Sequence, residues 1–365
     1  MPHTSTDSDI PNFIASANRD LYYWRFCEQV KTFRGILVRY DRSCAKDVDL
    51  WVHFAIKLAN VEELPLGFSL GSNQKYELPQ FAFKNTSLKS LILMYIELNP
   101  YGSFNWSSLV FLSIASLDMK DGMLEKVLSG CPNLKHLELD SVLGISRLEV
   151  TSVKLTYLCI KDHHNENDDL CLEIFSHHLK YFELLGYCDE ICLQQRNVSS
   201  LVSANLFWDY DDLVDEERNL EEECRYLKEL LYSVAHVENL GLDCWFIEGL
   251  LSRHTNEDEQ SRRFETHKFN CSLLHLKTIK FIDFHEPLSG YEFVFPFVKY
   301  LLKNATVLEE FVIAAEFEGN YVPLDYVPKL SKILLTCFNC LFLLRTLAPI
   351  VFIDSHIFDR CYFMY

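Results

Sequence analysis

Apolar and polar residues alternate in one short phrase that returns along most of the chain. Between Ser108 and Asp140 the phrase stands twice, as Leu109-x-x-Leu112-x-Ile114 and Leu134-x-x-Leu137-x-Leu139. Alternation of this kind predicts a strand with one buried face. The segment between the two copies reads as a helix. Asp121 offers an N-cap, "GMLEKVLS" places apolar residues at helical spacing, and Gly130 with Pro132 stops it.

Written as apolar-x-x-apolar-x-apolar, the phrase starts at Phe33, Val61, Leu88, Leu109, Leu134, Leu155, Leu179, Leu201, Val237, Leu276 and Leu308. The first seven intervals stay between 21 and 28 residues, and the later ones widen to 36, 39 and 32. A period in the twenties is that of leucine-rich repeats, in which each unit exposes an apolar face that only a stacked neighbour can bury. The fold class is therefore α/β, a leucine-rich-repeat solenoid whose curved parallel β-sheet is lined by helices on the outer face. A helix is also expected in "DVDLWVHFAIKLANVEELPL", where Leu50, Trp51, Phe54, Ala55 and Leu58 share one face and lead into the strand at Val61.

Composition narrows the function. The 365 residues hold 34 Lys and Arg against 52 Asp and Glu, a net charge of −18, which argues against nucleic acid or an anionic lipid surface as a general partner. The thirteen cysteines at irregular spacings, with no apolar leader after Met1, read as reduced thiols in a cytoplasmic or nuclear protein. The acidic run from Asp209 to Glu223 reads as a solvated loop or, more sharply, as a contact for a basic partner.

No phosphate-binding loop, nucleophile elbow or H-E-x-x-H motif is present, so no catalytic residue, cofactor or metal is assigned. Cys337-x-x-Cys340 lacks a second ligand pair, and the His163-His164 and His177-His178 pairs read as inter-repeat surface. The Asn-x-Ser/Thr matches at Asn85, Asn105, Asn197 and Asn304 bear on function only in a secreted chain.

"DVDLWVHFAI", "YELPQFAF", "SLKSLIL", "SGCPNLKHLEL" and "KLTYLCI" follow one another in the order and spacing that resembles plant F-box/leucine-rich-repeat proteins. "LKTIKFIDFHEPLSGYEF" through "VKYLLKNATVLEEFVI" is similar to the FBD region that often closes such proteins. The resemblance implies a non-enzymatic adaptor of a cullin-type ubiquitin ligase. Its repeats hold a protein substrate on the concave face, and an F-box docks a Skp-type linker. The residues before Phe33 lack the Leu-Pro and Ser-x-x-Trp marks of an F-box, so docking on that linker is expected only if the full gene product supplies one.

Two other readings remain: a repeat scaffold or competitor with no ligase connection, and a membrane-associated repeat receptor. The expected organisation is an N-terminal cap over 1–30, the repeat array over 31–265, FBD-like terminal repeats over 266–318 and an apolar tail over 319–365. Within the tail, Ile333 to Ile353 is long enough to cross a bilayer, but Arg345 and Pro349 argue for a terminal helix or a tail without a role.

Function then has to lie on a surface. In each strand the first, fourth and sixth positions turn inward and the third, fifth and seventh turn out. The outward set contains aromatic and charged residues in one strip, and the candidate protein-binding face is Phe111, His136, Glu138, Asp140, Tyr157, Lys161, Tyr181, Glu183 and Phe207. Aromatic anchors beside selecting charges are the composition of an interface; the alternative is that inter-repeat loops cover some of the aromatics.

Overall fold

The computed structural model describes residues 10–24, 30–37, 40–68, 75–119, 121–163, 171–186, 191–208, 220–243, 246–247, 273–284, 297, 301, 304–315 and 351–354. The chain divides into two units, Met1–His178 and Leu179–Tyr365. The helices and strands of the first are, in chain order, α1 (Ile10–Trp24), β1 (Gly35–Leu37), α2 (Ala45–His53), β2 (Glu63–Phe68), β3 (Tyr76–Glu77), β4 (Ser90–Met94), β5 (Ile96–Glu97), β6 (Phe111–Asp118), α3 (Asp121–Ser129), β7 (His136–Leu143), β8 (Arg147–Val150), β9 (Tyr157–Lys161) and β10 (Leu172–Ser176). The second holds β11 (Tyr181–Leu185), β12 (Ile191–Leu193), β13 (Ser203–Phe207), α4 (Leu220–Ser233), β14 (Asn239–Asp243), β15 (Thr278–Phe284), β16 (Glu310–Ala315) and β17 (Val351–Asp354).

In the first unit β1, β2, β4, β6, β7 and β9 pair in that order, all parallel. In the second, β11, β13, β14, β15, β16 and β17 do the same. From Val61 to Leu308 each phrase places its third residue at the start of a strand. The core follows from the same phrase. Leu88, Leu109, Leu134 and Leu155 at the first position, Leu91, Leu112, Leu137 and Leu158 at the fourth, and Leu93, Ile114, Leu139 and Ile160 at the sixth are all buried. Four-residue columns of this kind explain why a repeat cannot hold its shape alone.

Backbone hydrogen bonds lock the register in one recurring way. The carbonyl at the second position accepts N–H groups from the second and third positions of the next repeat: Lys89 from Val110 and Phe111, Val110 from Lys135 and His136, Lys135 from Thr156 and Tyr157. Lys31 takes this place for Glu62 and Glu63, so the first repeat begins at Val30, three residues before the Phe33 indicated by hydrophobicity. Phe33 thus occupies the fourth position, where an aromatic is as suitable as at the first.

The entry to each strand also recurs. The first-position N–H bonds the carbonyl three residues earlier, Leu109 to Trp106, Leu134 to Cys131, Leu201 to Val198, Val237 to Val234 and Leu276 to Leu273. That earlier residue is buried every time. Before Leu88 it is Asn85, whose side-chain Oδ1 replaces the carbonyl, accepting from Leu88 N at 2.8 Å and Ser87 N at 2.9 Å. Asn85 is therefore a buried cap.

At the exit, the eighth position of five successive repeats has positive φ: Tyr95 (59°), Ser116 (55°), Ser141 (51°), Asp162 (45°) and Gly186 (73°). This left-handed residue marks the end of the main ladder in β4, β9 and β11, whereas β6 and β7 go on pairing past it, Leu117 with Val142 and Asp118 with Leu143. Short second ladders begin beyond it, β3 with β5 and β8 with β10.

Several local expectations need correction. The helix expected after Asp47 ends at His53 and continues as a π-helical turn, Phe54–Leu58. The wider turn shifts the helical phase, so Trp51, Phe54 and Ala55 are buried while Leu50 and Leu58 are 59% and 61% exposed. Gly130 does stand at the end of α3, but not in a left-handed conformation. A Cβ there meets Phe104 Cβ at 2.4 Å and Phe104 O at 2.8 Å, so it is close backbone approach that demands glycine. Gly130→Ala is expected to cost about 1–3 kcal/mol by overpacking, read as a lower urea midpoint with unchanged m value.

Cys44, Cys131 and Cys159 are buried thiols outside any disulfide, as the reduced-thiol reading expects, whereas Cys171 and Cys192 are disulfide-bonded, which corrects that reading for these two. Burial pushes the Cys131 thiol up to about 12, because the thiolate has no solvation there. A maleimide reagent at pH 8 is therefore expected to leave Cys131 unmodified in the native protein and to modify it on unfolding.

Among the described residues no helix is long and apolar enough to cross a membrane. Most of Ile333 to Ile353 and the acidic run from Asp209 to Asn219 lie outside the described residues. Where the apolar tail is described, at Val351–Asp354, it is a strand rather than a helix, paired in parallel with β16.

Candidate protein-binding face

Outward residues of neighbouring strands stand in rows because the ladders are in register. In the first unit one row runs Glu63, Ser90, Phe111, His136, Tyr157; the next Pro65, Ile92, Ser113, Glu138, Cys159; the third Gly67, Met94, Ala115, Asp140, Lys161. Six of the nine candidate residues therefore lie within three adjacent strands, β6, β7 and β9.

The structure brings Phe111, His136 and Tyr157 together as an aromatic ridge. The His136 ring stacks on Tyr157 with centroids 3.8 Å apart and planes at 16°, and it leans on Phe111 at 4.7 Å. Its Nε2 lies 2.9 Å from Glu138 Oε1 along the same strand, with the carboxylate as acceptor. Such a hydrogen bond fixes the ring plane, and the flanking rings fix its position, so the ridge is preorganised. All three residues are half-buried.

Charges border the ridge. Lys161 Nζ lies 3.6 Å from Asp140 and 3.9 Å from Asp162, and Ser141 donates to Asp140 at 2.8 Å. At the start of the first row Glu63 accepts from Thr32 at 2.7 Å and pairs with Lys31 at 3.0 Å. The Thr32 hydrogen bond first, and Lys31 second, hold the Glu63 carboxyl below the usual carboxylate range. These pairs are exposed, where an ion pair adds little to the stability of the fold.

The remaining candidates belong to the second unit. Tyr181 is 48% exposed at the start of β11. Glu183 accepts from Asn205 Nδ2 at 2.7 Å, and Phe207 is half-buried. A Cβ on Gly241 falls 2.4 Å from Asn205 Oδ1 and 3.3 Å from Phe207 Cε1, so these two side chains close over the place where Gly241 has none. Asn205 and Gly241 were not singled out from sequence, although both stand at the fifth, outward position of their repeats.

Alternation gives the outward direction but not exposure. Ser113, Ala115 and Cys159 face out yet are only 6%, 9% and 7% exposed. Among the described residues no group of three or more His, Cys, Asp or Glu is placed to hold a metal ion.

Comparison with known proteins adds what geometry alone does not. The family model for the leucine-rich repeats of FBD-associated F-box protein At5g56370 matches residues 48–203, and the FBD model matches residues 266–313. The chain is 39% identical over 99 residues to F-box/LRR-repeat protein At3g03360 of Arabidopsis thaliana, a stretch covering 26% of this chain and 20% of that protein. It is 29% identical over 184 residues to the putative F-box/LRR-repeat protein At5g02930 of the same plant, 49% of this chain and 38% of that one. With F-box protein At5g03100, also from Arabidopsis thaliana, identity is 31% over 175 residues, 46% of this chain and 53% of the relative. The chain thus spans about half the length of these relatives or less. With both family models matched in order, over repeats whose register the structure shows, the chain is consistent with a plant F-box/FBD/leucine-rich-repeat protein.

Proposed function

We propose that this chain is a non-enzymatic protein-interaction module, and that it presents a protein substrate to a ubiquitin ligase where the full gene product carries an F-box. The observation that carries the reading is the ridge of Phe111, His136 and Tyr157, rings already stacked and bordered by Glu138, Asp140 and Lys161. Burying rigid aromatics against a partner costs little ordering entropy, and such residues dominate interface energies. Tyr181, Glu183 and Phe207 are proposed as a recognition surface of the second unit in its own right, and the cytoplasm or nucleus is the proposed location.

The ligase connection separates two versions of this function. Affinity purification of the full gene product from plant cells is expected to recover a Skp-type linker together with the bound substrate. Recovery of a partner that depends on Phe111 and Tyr157, without any such linker, would instead favour a scaffold or competitor.

A further inference from the structure

The sheet of the second unit carries a row with a charge at each end. At the fifth, outward position the ladders set Glu183, Asn205, Gly241 and Lys280 side by side on β11, β13, β14 and β15. Glu183 is half-buried and Lys280 exposed. Among the described residues Glu183 takes one hydrogen bond, from Asn205 Nδ2 at 2.7 Å, and no carboxylate pairs with Lys280. An exposed cation left unpaired in a chain of net charge −18 is available to a carboxylate from outside. The bond to Glu183 fixes the Asn205 amide, so its Oδ1 lies on the Gly241 side, 2.4 Å from where a Cβ of that glycine would stand. Among the described residues nothing donates to this oxygen. The middle of the row therefore presents an amide oxygen and no charge.

We infer that this row holds an extended segment of a protein partner by two opposite charges four residues apart, an inference that rests on the protein-binding reading of the second unit. Three strand spacings separate Glu183 from Lys280, roughly 14 Å at about 4.8 Å each. An extended chain covers that distance in about four residues at about 3.4 Å each, and an even step turns both side chains to the same face. A helix rises only about 6 Å over the same four residues, so it brings such charges together instead of spreading them to the two ends. A basic residue suits Glu183, whose strand neighbour Tyr181 is 48% exposed and offers its ring to the aliphatic stem. An acidic residue suits Lys280. Between them the backbone of the segment passes over Asn205, whose Oδ1 accepts one of its N–H groups. Opposed charges at the two ends repel segments of a single sign, so the row sets specificity more than affinity.

The test is selection of phage-displayed random twelve-residue peptides on the full chain, followed by affinity measurement on variants. Peptides weakened by Tyr181→Ala and Phe207→Ala are expected to share a basic and an acidic residue four positions apart. They are expected to lose about tenfold in affinity with Glu183→Gln and again with Lys280→Gln. A fresh selection on Lys280→Glu is expected to replace the acidic residue by a second basic one at the same spacing, which a merely structural role of Lys280 does not produce. Thermal melts confirm that each variant folds. Peptides that depend on Tyr181 and Phe207 but lack the spaced pair, or that bind both charge variants equally well, overturn the row and leave the recognition surface of the second unit. A selection in which no peptide depends on Tyr181 or Phe207 overturns both.

Discussion

Trp106→Ala is expected to remove about 3–5 kcal/mol of folding stability, a large share of the 5–15 kcal/mol typical of a domain. Trp106 is fully buried and packs against Phe104 at 4.9 Å between ring centroids and against Phe83 at 6.2 Å. Its indole N–H donates to Ala82 O at 2.8 Å, its backbone N–H to Gly130 O at 2.9 Å, and its carbonyl accepts from Leu109. One residue thereby ties the turn entering β6 to the repeat before it and the helix end after it. Trp106→Phe keeps much of the packing but strands the Ala82 carbonyl, so an intermediate loss of about 1–3 kcal/mol is expected. Chemical denaturation of the three proteins checks the order; a loss below about 1 kcal/mol for alanine would show that the repeats do not depend on this joint.

Phe111→Ala combined with Tyr157→Ala is expected to weaken partner binding by about a hundredfold or more, on the usual scale of aromatic anchors at an interface. Folding stability should change by only about 1 kcal/mol, because both rings are half-buried and the columns beneath them remain. The pair flanks His136, so removing both also releases the imidazole from its stack while leaving Glu138 in reach. Tyr181→Ala, tested separately, reports whether the second unit takes part. A double variant that binds normally, or that loses binding only because it unfolds, would remove the ridge from the account.

Much of the fold was legible because one phrase has to satisfy one geometry ten times over. Leucine at the first, fourth and sixth positions is what a parallel ladder with one buried face requires, and the outward rows follow from alternation. The buried residue at each strand entry was also there to be read, in Trp106, Cys131, Val198, Val234 and Leu273, had the phrase been extended three residues backward.

Other features left no such mark. The left-handed corner recurs at Tyr95, Ser116, Ser141 and Asp162, four residues with no shared chemistry, because the surrounding hydrogen bonds impose it; only Gly186 has a sequence signature. The first repeat was misplaced since Phe33 fits either of two core positions, and only the Lys31 carbonyl decides between them. At the face, sequence supplied the aromatic and charged residues, but neither the His136 stack nor the burial of Ser113 follows from alternation. Both depend on how side chains of adjacent strands lean, which alternation along one strand does not determine.

The central claim, that the sheet face of the first unit holds the partner, is tested most directly by site-specific photocrosslinking. A benzophenone amino acid at Tyr157, on the ridge, is compared with one at Glu125, an exposed residue of α3. Irradiation in plant-cell extract is expected to give a discrete crosslinked adduct from position 157, lost when Phe111 is also replaced by alanine, and none from position 125. An adduct from position 125 with none from 157 would contradict the claim.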